Sequence, residues 1–422
     1  MAVVRGFLGF TAACRDFCVL VVLVLVVQPH RANGLGRALT APSKDVAKPP
    51  VAGICAASVI VHGYKCQEFN VTTKDGYILS LQRIPEGRVV QNGGNKRQPV
   101  LLQHGVLMDG MSWLLNSPEH NLPMILADNG FDVWISNTRG TRFSRQHTSQ
   151  LDSSTTDFWN WSWDELASFD MPAVIDFVCG QTGQKINYVG HSQGTLIALV
   201  ALSEGKLVNK MKSVALLSPV AYLNNMNSAL GRVAAKAFVG EIGTMYRGYA
   251  EFNPKKVETG NFLKSLCAYP GVDCYDMLSG FTGKNCCLNS SSFDLFLANE
   301  AQSTSNKNMV HFSQTFRDGT LAKYAYVRPS YNVMHYGQVT SPIYNLSNIP
   351  HDLPLFLSYG GQDALSDVQD VKLLLGNLKV HDVDKLSVQF IKEYAHLDFI
   401  MGLNAKDKVY NQVVAFFKRQ NS

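Results

Sequence analysis

Along most of this chain, short apolar runs alternate with longer stretches of helical periodicity. PVLLQ (99–103), FDVWIS (131–136), INYV (186–189), SVALLSPV (213–220), LPLFLSY (353–359) and LSVQFI (386–391) have the length and apolar content of buried strands. MPAVIDFVCGQT (171–182), TLIALVALSEG (195–205), VQDVKLLLGNL (368–378) and KVYNQVVAFFKRQ (408–420) repeat their apolar positions at three- and four-residue spacing, which predicts helices. VTTKDGYILSLQRI (71–84) reads as a hairpin turning at Asp75-Gly76. Strands alternating with helices predict an α/β fold with a mostly parallel sheet covered by helices on both faces.

One corner departs from this pattern of packing. INYVGHSQGTLIAL (186–199) passes from strand to helix through Gly190-His191-Ser192-Gln193-Gly194, and a hydroxyl there adds nothing to a core. A strand that turns into a helix within one residue strains that residue, at a cost of order 1–3 kcal/mol. Side chains two positions before and after would collide, so glycine is favoured at both. G-x-S-x-G in this setting describes a nucleophile elbow. Ser192 would stand above the sheet, and the Gln193 N–H would lie at a helix N-terminus, where developing negative charge is favoured.

A serine hydroxyl needs a base to take its proton and a third group to orient that base. In an α/β-hydrolase these follow in the order acid, then histidine, each on a loop after a core strand. LPLFLSYGGQDALSD (353–367) runs from a strand through Gly360-Gly361 to Asp363, and LSVQFIKEYAHLDFI (386–400) delivers His396. Asp367 stands at the start of the 368–378 helix and suits a capping role. Asp398, two residues from His396, is too close along the chain to meet that imidazole squarely. His62, His147, His311, His335, His351 and His381 lack the strand-then-loop setting. For the oxyanion, PVLLQHGVLMDGMSW (99–113) ends a strand at His104-Gly105, and the glycine lets the Val106 N–H turn toward the site beside that of Gln193.

Length and composition bound the rest. At 422 residues with 46% hydrophobic and 17% charged residues, the chain suits one large domain with an insertion, or two domains. The net charge of +5 is mild, and Lys255-Lys256 with the scattered basic residues of 206–256 read as solvated faces rather than a nucleic-acid track. Arg5 and Arg15 precede the apolar run FCVLVVLVLVV (17–27), followed by Ala32 and Gly34. That is a secretory signal pattern over 1–34, short for a membrane span, with an uncleaved anchor as the alternative. Of the nine cysteines, Cys14 and Cys18 leave with such a signal. Cys55 and Cys66, Cys267 and Cys274, and the adjacent Cys286-Cys287 read as disulfide material in an oxidising compartment, with pairing undetermined. Cys179, on an apolar helical pattern, is expected to be the free, buried one. Asn70, Asn160, Asn289 and Asn345 head N-x-S/T sequons.

With these stretches in place, the chain resembles the acid lipase family of gastric and lysosomal lipases and their plant relatives. The resemblance rests on HGYKCQEFNVTTKDGYILSLQRIP, LLQHGVLMDGMSW, ILADNGFDVWISNTRGTRFSR, FWNWSWDELASFDMPAVIDFV, YVGHSQGT, GGQDALSDVQDVKLLL and YAHLDFI, and covers the chain from about residue 50 onward. It implies the α/β-hydrolase fold, Ser192, Asp363 and His396 as the triad, and Val106 and Gln193 as oxyanion donors, with no cofactor or metal. It also implies a cap inserted at about 222–336, between core segments 35–221 and 337–422. That insertion is the stretch least like an alternating strand-helix pattern. Cys286-Cys287 and the Cys267 to Cys274 interval depart from the animal members, which puts cap shape and chain-length preference in doubt. Two further motifs are read as structural. FWNWSWDELASF packs a helix start onto the sheet rather than docking lipid, and Arg139 and Arg142 of NTRGTRFSR pin loops near the site.

The expected function is a secreted serine ester hydrolase. It would act on neutral lipids such as triacylglycerol or sterol esters at a lipid–water interface, in peripheral contact with a membrane or droplet, outside the cell or in a vacuole or lysosome. The alternatives are an esterase for small soluble esters, a peptidase, and a catalytically idle lipid-binding protein on the same fold.

Overall fold

Each apolar run becomes a strand of one sheet, and alternate side chains of the strands feed two different cores. In the computed structural model, which describes residues 53–89, 96–149, 151–228, 248–254 and 274–420, the strands are β1 (Gln67–Thr72), β2 (Tyr77–Ile84), β3 (Pro99–Gln103), β4 (Asp132–Ser136), β5 (Gln146–His147), β6 (Ile186–His191), β7 (Met211–Leu217), β8 (Glu251–Phe252), β9 (Thr304–Ser305), β10 (Leu355–Gly360) and β11 (Leu386–Ile391). The main sheet runs β1-β2-β4-β3-β6-β7-β10-β11, with β5 beside β2. Along β4-β3-β6-β7-β10-β11 every pairing is parallel, β1, β2 and β5 pair antiparallel, and β8 and β9 form a separate antiparallel pair. The hairpin joining β1 to β2 turns at Gly76, whose φ of 98° suits glycine. The expected leader at 1–34, the core start up to 52, and residues 229–247 and 255–273 of the expected cap, Cys267 among them, lie outside the described residues.

The helices are α1 (Leu122–Asp128), α2 (Met171–Thr182), α3 (Gln193–Ser203), α4 (Cys274–Thr282), α5 (Ser290–Asn299), α6 (Asn306–Asp318), α7 (Pro329–Tyr336), α8 (Val368–Asn377) and α9 (Asn411–Arg419). Leu101, Tyr188, Val214, Leu216, Leu355 and Leu357 meet α2 and α3 on one face of the sheet. Val100, Leu102, Val189, Ala215, Leu217 and Phe356 meet α1 and α9 on the other. The two-residue period of a strand produces this division, and burying each such side chain contributes roughly 1.5–3 kcal/mol.

The aromatic run is buried: Phe158, Trp159, Trp161 and Trp163 are at most 1% exposed. Ser162 and Glu165 form a capping box there, and Trp163 stacks on the His311 ring at 3.7 Å. His311 is a satisfied core residue, with Ser162 Oγ at 3.1 Å and the Ala322 carbonyl at 2.9 Å. Cys55 and Cys66 form a disulfide, as do the adjacent Cys286 and Cys287. Cys179 is free, as expected, but only half-buried, because its helix position lies at the border of the apolar face. Among the described residues no helix is long and apolar enough to cross a membrane.

Arg139 pins loops as its motif suggested. Its guanidinium, 1% exposed, lies 2.5 Å from Asp170 and 2.6 Å from Asp75, and stacks over Tyr77. It thereby ties the β1–β2 turn to the start of α2. Removing one partner of a buried ionic group leaves uncompensated charge. Arg139→Ala should therefore cost about 3–5 kcal/mol in urea denaturation. A loss below about 1 kcal/mol, the range of exposed pairs, would mean the cluster is not held as described.

Candidate active site

Ser192 occupies the turn between β6 and α3 with φ 53° and ψ −120°, the left-handed strain expected of it. The two glycines are required by contact. A Cβ on Gly190 would lie 2.7 Å from the Gly194 carbonyl, and one on Gly194 would lie 2.5 Å from the Gln103 carbonyl of β3. Local hydrogen bonds fix the turn: Thr195 Oγ1 donates to the Ser192 carbonyl at 2.6 Å and accepts from the Val220 N–H at 2.8 Å, while Tyr188 OH donates to the Gly194 carbonyl at 2.7 Å.

Asp363 follows β10 and His396 follows β11, two strands that are parallel neighbours in the sheet. His396 Nδ1 lies 2.9 Å from Asp363 Oδ2 and 3.0 Å from Oδ1, and both residues are buried. Asp363 Oδ1 also accepts the Leu365 and Ser366 N–H groups at 2.9 and 2.8 Å. Burial works to raise this carboxyl, but the His396 imidazole and the two backbone donors outweigh it and hold it below its ordinary value. With Nδ1 turned to the carboxylate, Nε2 is the ring nitrogen left for a proton from the serine. The rivals are otherwise engaged. Asp367 caps α8 by accepting the Gln369 N–H, and Asp398 accepts the N–H groups of Ala395, Cys286 and Cys287.

The His-Gly loop lies against the serine. A Cβ on Gly105 would sit 3.0 Å from Ser192 Cβ and 3.4 Å from Oγ, so glycine lets this backbone reach Ser192. His104 is a bracket: Nδ1 faces the Gly105 carbonyl at 2.8 Å and Nε2 accepts the Thr138 N–H at 3.1 Å. Burial pushes its imidazole below the ordinary value. Val106 and Gln193 therefore flank Ser192 from two directions, one on the loop after β3 and one at the start of α3.

Residues 55–117 match the family model of a partial alpha/beta-hydrolase lipase region, and residues 98–269 match that of the alpha/beta hydrolase fold. Triacylglycerol lipase 2 of Arabidopsis thaliana is 57% identical over 405 residues, covering 95% of this chain and 96% of that protein. The chain belongs to the acid lipase family. Gastric triacylglycerol lipase of Mus musculus is 37% identical over 377 residues, covering 87% of this chain and 92% of that one. A soluble variant of monoglyceride lipase from Saccharomyces cerevisiae, solved with a substrate analogue, shares the fold at TM-score 0.52 and 17% identity, covering 85% of this chain and 96% of that one.

Further residues tie this acid lipase site together. His191, the variable position before the serine, donates through Nε2 to the His396 carbonyl at 2.9 Å and so ties the elbow to the histidine loop. From the segment between β7 and β10, Thr282 accepts the His396 N–H through its carbonyl at 3.2 Å, Asn285 Oδ1 accepts the Leu397 N–H at 3.0 Å, and Gly283 forms a bridge with Asp363. Arg142 joins Asp109, behind the His-Gly loop, to Asn299 of α5. His191 had a locating cue in its place inside G-x-S-x-G, and Arg142 in the motif NTRGTRFSR; Thr282, Gly283, Asn285 and Asn299 come from sequence-distant segments without one.

His191 also makes a pH prediction. Burial, then the neighbouring His396, push its imidazole down to about 3, so the folded protein holds it neutral. The unfolded chain takes up that proton below about pH 6.5, so this group destabilises the fold increasingly as pH falls from there toward 3. His191→Gln keeps a donor for the His396 carbonyl but cannot titrate. Its stability relative to wild type should improve by about 3 kcal/mol between pH 7 and pH 4 in urea denaturation. A difference independent of pH would show that the native imidazole is not held neutral.

Proposed function

We propose that this chain is a secreted serine hydrolase of neutral lipid esters, triacylglycerol first among them. The observation that carries the reading is the strained Ser192 at the elbow, with the buried His396–Asp363 pair tied to it through His191. Ser192 Oγ attacks the ester carbonyl while His396 Nε2 takes its proton, and Asp363 steadies the imidazolium through Nδ1. The N–H groups of Gln193 and Val106 receive the developing oxyanion. His396 then gives its proton to the departing alcohol, leaving an acyl-serine. Water attacks that ester with the same base, releasing fatty acid and free Ser192. The lipid substrate rests on the relatives, which are named triacylglycerol lipases over most of their lengths. The Cys55–Cys66 disulfide supports an oxidising compartment, and exposed Asn70, Asn160 and Asn345 are open to glycans along the same route.

Ser192→Ala should leave a folded protein with ester hydrolysis reduced roughly 10⁵–10⁶-fold. Asp363→Asn should lose about 10³–10⁴-fold, because the base persists but is misoriented. Activity of Ser192→Ala within tenfold of wild type, or greater damage from Asp367→Asn than from Asp363→Asn, would overturn the assignment. A panel of emulsified triacylglycerol, cholesteryl ester and short p-nitrophenyl esters over pH 4–8 fixes the substrate class. Hydrolysis confined to the soluble esters would make the protein a small-ester esterase instead.

The 222–336 insertion is assigned the role of cover over the acyl chain. Each buried CH₂ is worth about 0.8 kcal/mol, so a covered channel favours long chains. Excising part of 230–260 should abolish long-chain turnover while sparing a short soluble ester. An equal loss at every chain length, in a folded variant, would leave the insertion a support for the core.

A further inference from the structure

Two contacts from one short stretch of the insertion reach both halves of the oxyanion site. The Gln302 N–H donates to the Leu107 carbonyl at 2.7 Å, next to Val106, and holds Leu107 at φ 60°, a left-handed conformation unusual for leucine. Six residues on, Asn308 at the start of α6 donates from Nδ2 to Gln193 Oε1 at 3.0 Å. Gln193 is 4% exposed and Asn308 fully buried. Nδ2 of Asn308 also reaches Thr304 Oγ1 at 3.1 Å, while its Oδ1 is buried with no hydrogen-bond partner among the described residues. A buried acceptor left unpaired is costly, so stability alone does not favour an asparagine here. What the residue provides is a donor aimed at the side chain of the amino acid after the nucleophile.

We propose that Asn308 is a positioning residue for the oxyanion hole, with the 302–308 segment clamping its two sides. This rests on the serine mechanism above. Asn308 anchors the Gln193 side chain among the described residues, and the Gln193 backbone N–H is the group that must point at the oxyanion. With Oε1 held by α6 and the main chain held by the elbow, the N–H has little freedom to turn away. Preorganised donors of this kind act on the transition state and not on ground-state binding. Asn308, which does the holding, belongs to the same 222–336 stretch assigned above as the cover.

The test separates positioning from packing. Asn308→Ala and Gln193→Leu, which keeps the backbone N–H but removes the acceptor, are assayed on a soluble short-chain ester. A trifluoromethyl ketone serves as transition-state probe, since Ser192 Oγ adds to its carbonyl carbon to give a tetrahedral oxyanion while His396 takes the proton. Asn308→Ala should lower kcat about 10–100-fold, weaken the ketone by the same factor and leave KM within about twofold; loss of a whole donor costs about 10²–10³-fold. Gln193→Leu should behave alike, and adding Asn308→Ala to it should change nothing further. Multiplying effects in the double variant, or unchanged ketone affinity in Asn308→Ala, would overturn the proposal. If Asn308→Ala fails to fold, Gln193→Leu decides alone, and wild-type kcat there overturns it. Should Ser192→Ala stay active, the serine mechanism falls and the clamp with it; should Ser192→Ala be dead while both clamp variants match wild type, the clamp alone falls.

Discussion

The strand-to-helix turn at Ser192 imposes conditions on everything around it. A residue at φ 53° holds that conformation only if its surroundings over-determine it. Here β6 enters as a central strand between β3 and β7, and α3 leaves as a wholly buried helix, so neither end can relax. The glycines at 190 and 194 exist because backbone from the elbow itself and from β3 lies where a Cβ would stand. The elbow is therefore a property of the sheet's centre and not of five residues alone.

Around that corner, segments far apart in sequence are joined mostly through main-chain groups. The His396 carbonyl goes to His191, its N–H to Thr282, and the Leu397 N–H to Asn285. The Asp398 carboxylate gathers the N–H groups of Cys286 and Cys287, which face it across the Cys286–Cys287 disulfide turn. Loops carry function because they can be shaped independently of the scaffold, but a loop left to itself is mobile. Here residues 282–302, between β7 and β10, supply the partners, and the loops carrying Asp363, His396 and His104-Gly105 each lean on them.

Burial sets the charge states of the site in opposing directions. His191 and His311 are both held down to about 3 chiefly by burial. Asp398 is raised to about 6 by burial, and Asp164, beside Glu165 and His311, to about 7 by burial and then by Glu165. On unfolding between about pH 6.5 and 4 the two histidines take up protons and the two carboxylates release them, so their contributions to the pH dependence of stability oppose one another. Asp363 remains ionised through that window, because His396 and two N–H groups hold it low.

The sheet, the succession of strands and helices along the chain, the hairpin at Asp75-Gly76, the elbow and the loops that bring Asp363 to His396 were all legible along the chain. Each depends on spacing within one segment: the two-residue period of strands, the three-and-four spacing of helices, glycine where backbone turns, and a polar residue just past a strand's end. The burial of the aromatic run and the capping role of Asp367 followed from the same local logic. What the one-dimensional pattern does not contain is which distant groups meet. Gln302, Asn308, Thr282 and Asn285 are ordinary polar residues of the segment between β7 and β10, and their hydrogen bonds span from 112 to 195 positions of sequence. Such contacts are chosen by how the insertion packs on the sheet, a condition of volume and direction that no local periodicity encodes. Cys179 makes the same point on a smaller scale: its helix was evident from period alone, but only the packing of that helix decided that the thiol is half in solvent.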